Sequence, residues 1–131
     1  MNLLLDTHVL IWWMEDNPRL GANIRKVLLG RTAQPVVSAV SIWEISIKAA
    51  IGRITMPEPQ ELWVPRLRDE WGVHSLSVTF EHAIAVRTLP LHHNDPFDRM
   101  LIAQARCEDI ALVTVDPAIA AYNVRTIDAR I

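Results

Sequence analysis

The sequence has a single cysteine, Cys107, so no disulfide can form within the chain. It also has no long apolar run, because the longest one, Val9 to Met14, is far shorter than the roughly 20 residues that cross a bilayer. The first residues, MNLLLDTH, contain no basic leader, and Asp6 interrupts the leucines. These features predict a cytoplasmic protein with no signal peptide and no membrane partner.

Lysine is scarce as well. Of the 13 cationic residues only Lys26 and Lys48 are lysines, and the others are arginines. The formal net charge of −2 and a pI near 6.2 argue against a domain that binds nucleic acid by bulk charge alone. The planar arginine fork suits bidentate phosphate contacts, so a local arginine surface stays open beside the simpler interpretation as solvated surface charge.

What the sequence does contain is a regular alternation of short β-like runs with helical patterns. This alternation predicts a single three-layer α/β domain over residues 1–131, with a mainly parallel sheet of about five strands flanked by helices. The predicted strands are 2–5, 35–39, 73–77, 111–115 and 124–127. The predicted helices are 7–14, 21–29, 41–51, one around residues 63–71, one around 80–84, 96–107 and a short one at 117–122.

Two helical patterns carry specific expectations. Trp63, Leu67 and Trp71 recur at helical spacing, and Pro65 between them predicts a kink or a late helix start. Phe80, Ala83 and Ile84 form the apolar face of the next helix.

Four acidic residues stand where a parallel sheet places functional groups, beyond the carboxyl ends of the strands. Asp6 follows the first strand and Asp116 follows the fourth. Glu44 lies in the first turn of the helix after the second strand, and Asp98 opens the apolar helix 96–107. The scheme therefore permits all four carboxylates to meet at one edge.

Each acid also has a structural interpretation. Ser41-Ile-Trp-Glu44 matches a capping box, and Glu44 can pair with Lys48 one turn later. Asp6, Asp95 and Asp116 each precede a predicted helix, and the last two are followed by proline at a first helical position. Asp98 is an acid at the third position of the helix 96–107, where the helix dipole favours it. Taken singly, each of these acids has a structural explanation.

Taken together, the acids favour a metal site. Several carboxylates aimed into one crevice repel each other unless a proton or a cation lies between them. Hard oxygen ligands with open positions suit Mg²⁺ or Mn²⁺, and such an ion can activate water for attack on a phosphodiester.

The segments LLLDTHVLIWW, SAVSIWEISIK, DPFDRMLIAQA and LVTVD resemble, in order and spacing, the motifs of PIN-domain ribonucleases, closest to the VapC toxins of bacterial toxin–antitoxin pairs. The resemblance covers essentially the whole chain. It matches Asp6, Glu44, Asp98 and Asp116 to the four acids of the family. It implies Mg²⁺-dependent endonucleolytic cleavage of RNA, a homodimer or higher even oligomer, and neutralisation by a cognate antitoxin.

Further candidates surround these acids. Thr7 and Ser41 are expected to orient a metal-bound water or a ligating carboxylate, with helix capping as the alternative. Arg99 is a candidate for the scissile phosphate, although an arginine that pairs with an acid would look the same. His93 is a candidate RNA contact. Asp98 rather than Asp95 stands in the register of the metal acid, which leaves Asp95 as the helix N-cap.

Other functions fit the sequence less well. The adjacent histidines at 92 and 93 point apart in an extended loop and lack a third ligand, which excludes zinc. A receiver-type phosphoacceptor needs an acidic pair at the first strand and a late lysine, and neither is present. An RNA-maturation nuclease without a toxin role, or a PIN fold kept only for binding a partner, would share every motif and stays an alternative.

Overall fold

The centre of the protein is a parallel sheet of five strands in the order β3-β2-β1-β4-β5. The structure is a computed structural model, which describes residues 1–30, 32–92 and 94–131. The first strand in sequence therefore lies in the middle of the sheet, between β2 and β4. The strands are β1 (Asn2–Leu5), β2 (Gln34–Ser38), β3 (His74–Leu76), β4 (Ala111–Thr114) and β5 (Thr126–Asp128).

Helices connect the strands and cover the sheet. They are α1 (Thr7–Met14), α2 (Ala22–Leu29), α3 (Ala39–Ala50), α4 (Gln60–Asp69), α5 (Phe80–Ala85) and α6 (Pro96–Glu108), with single 3₁₀ turns at Val86–Thr88 and Ile119–Ala121. Parallel strands need such crossover connections, because a hairpin turn cannot join them. The predicted α/β class and the five-stranded parallel sheet are confirmed.

Strand β1 shows how the sheet divides the core into two layers. Successive side chains of a strand point to opposite faces. Leu3 and Leu5 pack into one cluster with α1, α2 and α4, whereas Leu4 packs into a second cluster with α6. All three leucines are buried, which explains why β1 is an unbroken apolar run rather than an alternating one. Helices on both faces make the domain three-layered, as predicted.

Helix α3 begins earlier than the sequence pattern predicts. Ser38 is its N-cap, and its hydroxyl accepts a hydrogen bond from the Val40 amide at 3.0 Å. Ser41 and Glu44 therefore lie inside the helix, and the capping-box interpretation of these two residues is wrong. The reason is that Ser38, at the last position of β2, already satisfies an amide of the first turn.

Helix α4 starts at Gln60 and runs through Pro65. The expectation of a late start at Pro65 is therefore wrong, and so is the inclusion of Trp71, which lies beyond the end of the helix. Trp63 and Leu67 are buried as predicted. Their packing against the sheet holds a helix whose backbone lacks one hydrogen-bond donor.

The face of α5 that carries Phe80 and Ile84 is turned outwards, with exposed fractions of 86% and 63%. The buried residue of α5 is instead His82, whose ring accepts from the Thr79 amide in a capping box. In the described part of the chain, no helix combines the length and the apolar character that crossing a membrane requires.

Candidate active site

The carboxyl ends of β1 and β4 lie side by side, and each is followed by an acid. The register pairs Leu5 with Val113, and the Asp6 amide donates to the Val113 carbonyl at 3.0 Å. Asp6 is the N-cap of α1, while Asp116 stands two residues beyond the end of β4. The parallel register thus brings the two acids to the same edge of the sheet.

Asp6 is a buried carboxylate with an exposed fraction of only 4%. Its Oδ1 accepts from the Val9 amide at 2.9 Å, and its Oδ2 accepts from the hydroxyl of Thr114. Burial raises the pKa of Asp6 above its ordinary value and nearby Glu44 adds to the rise, whereas the two hydrogen bonds and His8 act in the opposite direction. Asp6 is therefore held in place but costly to keep charged.

Glu44 is buried as deeply as Asp6, at 3% exposed. The Thr7 hydroxyl donates to its Oε1 at 2.6 Å, and Lys48 forms an ion pair with its Oε2. Ser41 Oγ lies 3.0 Å from Thr7 Oγ1. Because Thr7 has one hydroxyl proton and gives it to the carboxylate, Ser41 is the donor in that second contact. Thr7 and Ser41 are thus placed to orient a carboxylate, and the predicted Glu44–Lys48 pair is confirmed.

Thr114 connects the acids that follow β1 and β4. Its hydroxyl donates to Asp6, and the same oxygen accepts from the Asp116 amide at 3.1 Å. The Asp116 carboxylate in turn accepts from the Ala118 amide at 2.9 Å, which fixes the turn after β4. Thr114 is not among the residues that the sequence predicts for this site. Its signal was a single hydroxyl in the otherwise apolar strand LVTV, two residues before an acid.

Asp98 is half-buried in the first turn of α6. Asp95 caps this helix, since its Oδ1 accepts from the amides of Phe97 and Asp98 at 2.8 and 3.2 Å. The capping role predicted for Asp95 is therefore confirmed. The ring of Phe97 meets the ring of Trp43 edge to face, at 5.2 Å between centroids. This contact joins the start of α6 to the turn of α3 that carries Glu44.

The Arg99 side chain, which follows Asp98 on α6, is held by several oxygen acceptors. Its guanidinium donates to the carbonyls of Pro90, Val86 and Leu89 at 2.8 to 3.3 Å, and to the Tyr122 hydroxyl at 3.2 Å. These acceptors tie residues 86–90 to α6, which is a structural task for a group with five donors. A phosphate contact by Arg99 stays a prediction. His93, the other candidate for RNA contact, lies outside the described residues.

The donor groups at the edge fit a hard divalent cation by their chemistry. The side chains described above are carboxylates and hydroxyls, which are the oxygen donors that Mg²⁺ and Mn²⁺ prefer. Over residues 1–30, 32–92 and 94–131, however, no three His, Cys, Asp or Glu side chains are close enough to hold one ion as they stand. Shared binding of one ion by the four acids stays a prediction.

The fold and this edge define a class: parallel three-layer α/β proteins with buried carboxylates beyond the central strands. The model of the PIN domain matches residues 3–124. The chain belongs to the PIN-domain family.

Individual relatives agree with this assignment. The chain is 30% identical over 115 residues to Ribonuclease VapC22 of Mycobacterium tuberculosis, which covers 87% of this chain and 86% of the relative. Among solved structures, VapBC2 from Rickettsia felis bound to a promoter DNA fragment superposes with a TM-score of 0.73 at 12% identity, over 97% of this chain and 98% of that one. DNA-bound VapBC from Salmonella typhimurium gives 0.70 at 16% identity, over 98% of both chains. These structures share the fold.

Proposed function

We propose that this protein is a divalent-metal-dependent endoribonuclease that acts as the toxin of a toxin–antitoxin pair. The observation that carries the proposal is the pair of buried acids, Asp6 and Glu44, held by Thr114 and Thr7 at the carboxyl edge of a PIN-domain sheet. Burying two carboxylates beside each other costs stability, and a fold retains such an arrangement where a site needs it. The 30% sequence identity to Ribonuclease VapC22, over 87% of this chain, supports the same function.

In this proposal the residues divide into two groups. Asp6 and Asp98 would bind Mg²⁺, or Mn²⁺ in its place, most directly, and Glu44 and Asp116 would complete the acidic pocket. When bound, the ion supplies polarisation of a phosphoryl oxygen and activation of water, which then hydrolyses the RNA phosphodiester. Thr114 holds the Asp6 carboxylate by a hydrogen bond. No covalent link between protein and RNA is required.

The acid of α6 provides the sharpest test of the site. Asp98→Asn should abolish cleavage of a fluorogenic RNA library while leaving the circular dichroism spectrum and the melting temperature close to wild type. Asp95→Asn is the matched control, because asparagine caps a helix as well as aspartate does and the variant should retain activity. Normal cleavage by folded Asp98→Asn would remove Asp98 from the site.

Removal of the metal tests the cofactor. EDTA should stop cleavage by the wild-type protein, and an excess of Mg²⁺ or Mn²⁺ should restore it. Folded protein that never cuts RNA with either ion would favour a PIN fold kept for binding a partner. Cleavage that persists in EDTA would contradict the metal-dependent mechanism.

The toxin role predicts a cytoplasmic protein whose expression arrests growth and whose partner relieves the arrest. Support comes from the VapBC assemblies that share its fold. The test is to express the chain alone and then together with the product of the neighbouring small gene. Growth arrest that depends on Asp98 and is relieved by co-expression supports the toxin role. Cleavage without growth arrest would instead favour an RNA-processing nuclease.

A further inference from the structure

Glu44 and Asp6 are equally buried, but their partners differ in charge. Both Glu44 oxygens are engaged, one by the Thr7 hydroxyl and one by the Lys48 ammonium group. Within the described residues, Asp6 takes its two hydrogen bonds from neutral donors, the Val9 amide and the Thr114 hydroxyl. The Glu44 carboxylate therefore already has a positive charge beside it, whereas none of the placed cations is in hydrogen-bonding contact with Asp6.

The Glu44–Lys48 pair differs from an ordinary surface ion pair. The two residues are one helical turn apart on α3, so the lysine stem follows the helix towards the acid. The Glu44 side chain is 4% exposed and the Lys48 side chain 26%. Water screens this pair much less than an exposed one, and a carboxylate taken out of water needs a counter-charge. Lys48 therefore belongs to the site as the counter-charge of Glu44 and is not a freely solvated surface charge.

A fixed cation at Glu44 limits how many divalent ions the edge can hold. Mg²⁺ keeps several of its waters and is usually held by only one or two carboxylates. An ion placed on Glu44 would have to displace the Lys48 ammonium group or sit beside it, and like charges in a weakly screened site repel strongly. Among the described residues, no lysine or arginine is hydrogen-bonded to Asp6, on which His8 acts by its charge without a hydrogen bond.

We propose that Lys48 is the permanent cation of the Glu44 side, so that the site takes one divalent ion, at Asp6, rather than two. This inference rests on the proposed metal-dependent function. Lys48 is then a positioning residue that acts through Glu44 and needs no contact with RNA.

The experiment counts Mn²⁺ bound by the metal-free protein, using titration calorimetry and the loss of the free-ion paramagnetic resonance signal. Wild type and Lys48→Arg should bind one Mn²⁺ per chain. Lys48→Met should bind a second ion, or bind the first at least about tenfold more tightly, since a positive charge has been removed beside an uncompensated acid. Without metal, Lys48→Met should melt at a lower temperature than wild type. Added Mn²⁺ should raise the melting temperature of Lys48→Met more than it raises that of wild type.

The chain supplies its own control for the change of charge. Lys26, the other lysine, is exposed on α2, an element that carries none of the candidate site residues. Lys26→Met removes the same charge and should leave Mn²⁺ binding as in wild type.

The outcomes separate the two proposals. Two ions bound by wild type overturn the role of Lys48 whether or not Lys48→Met folds. One ion in both wild type and Lys48→Met, with equal affinity, also overturns it while the metal-dependent nuclease stands. Wild type that binds no Mn²⁺ and does not cut RNA overturns both.

Discussion

At the scale of single residues, the burial of Asp6 makes the metal-free protein sensitive to pH. Its pKa is raised, chiefly by burial, so the folded state disfavours the charged form. In acid, neutral Asp6 contributes to the free energy of unfolding. This contribution is lost as the pH rises through the pKa of Asp6 in the folded state. Asp6→Asn should therefore melt higher than wild type at pH 7 in EDTA, with the difference shrinking towards pH 3.8, the ordinary pKa. Scanning fluorimetry across this range measures it.

Asp128 is a control of opposite sign. Its pKa is lowered by hydrogen bonds from Arg130, so its stabilising contribution is present above the ordinary pKa and lost in acid. Asp128→Asn should not raise the melting temperature at pH 7. If Asp6→Asn and Asp128→Asn shift the melting temperature alike, the raised pKa of Asp6 is not the cause of the shift.

Thr114 should matter for activity in spite of having no acid–base chemistry. Thr114→Val keeps the shape of the side chain but removes the hydroxyl that joins Asp6 to the Asp116 amide. A loss of about 10- to 100-fold in cleavage is expected, as for other groups that orient metal ligands. Thr114→Ser retains the hydroxyl and should stay close to wild type. Equal activity of the valine and serine variants would show that the hydrogen bond is dispensable.

Asp6 and Asp116 could be predicted at the strand ends, because each follows the apolar run of a buried strand in the sequence. Thr114 was missed because threonine is common in strands for its shape alone. The pattern Ser41-Ile-Trp-Glu44 predicts a cap at Ser41, and only the backbone conformation shows that Ser38 already accepts from the Val40 amide.

At the scale of elements, the start of α2 depends on the far end of the chain. The Gly21 amide donates to the Ala129 carbonyl, and the Asn23 amide donates to Ile131. A β-carbon on Gly21 would overlap the backbone of Ile131. Gly21→Ala should therefore destabilise the protein by about 1 to 3 kcal/mol, the usual cost of overpacking. Urea denaturation measures the loss.

The origin of this loss can be checked with a second change. Deleting Ile131 removes the backbone that the new methyl group meets, at the cost of its own contacts. In the shortened chain, Gly21→Ala should cost much less than in the full chain. An unchanged cost would place the strain elsewhere in α2.

Element boundaries were predicted well where local chemistry sets them and poorly where packing does. Strand β1 and helix α1 have the predicted limits, since Asp6 stops one and caps the other. The helix predicted at 117–122 is only the turn Ile119–Ala121. Helix α4 crosses Pro65 because burial of Trp63 and Leu67 outweighs the lost hydrogen bond, and this gain is not visible from sequence.

At the scale of the whole molecule, an apolar surface on α5 remains uncovered. Phe80 and Ile84 are exposed, and Ala83 of the same helix lines an open groove of about 620 Å³ together with Trp43 on α3. Apolar patches of this kind mark interaction sites. We propose that a second copy of the chain covers this surface, in keeping with the predicted homodimer.

Substitution on this surface tests the dimer. Wild type should elute with light scattering near twice the chain mass of 14.9 kDa, and Phe80→Glu combined with Ile84→Glu should elute near that mass itself. Both side chains are exposed, so the monomer should remain folded. Leu29→Glu, at an equally exposed apolar residue of α2, is the control and should leave the dimer intact. A dimer that survives the double substitution would move the interface away from α5.

The central position of β1 has a consequence for when the protein can become active. Thr114, which holds the Asp6 carboxylate, follows it by 108 residues in the chain. A ribosome adding about 5 to 20 residues per second makes Asp6 on the order of 5 to 20 seconds before this partner exists. Strand β1 cannot complete its pairing before β4 exists, so this edge of the sheet forms only after residues 111–114 have been synthesised. During synthesis Asp6 therefore lacks the Thr114 hydrogen bond until β4 has been made.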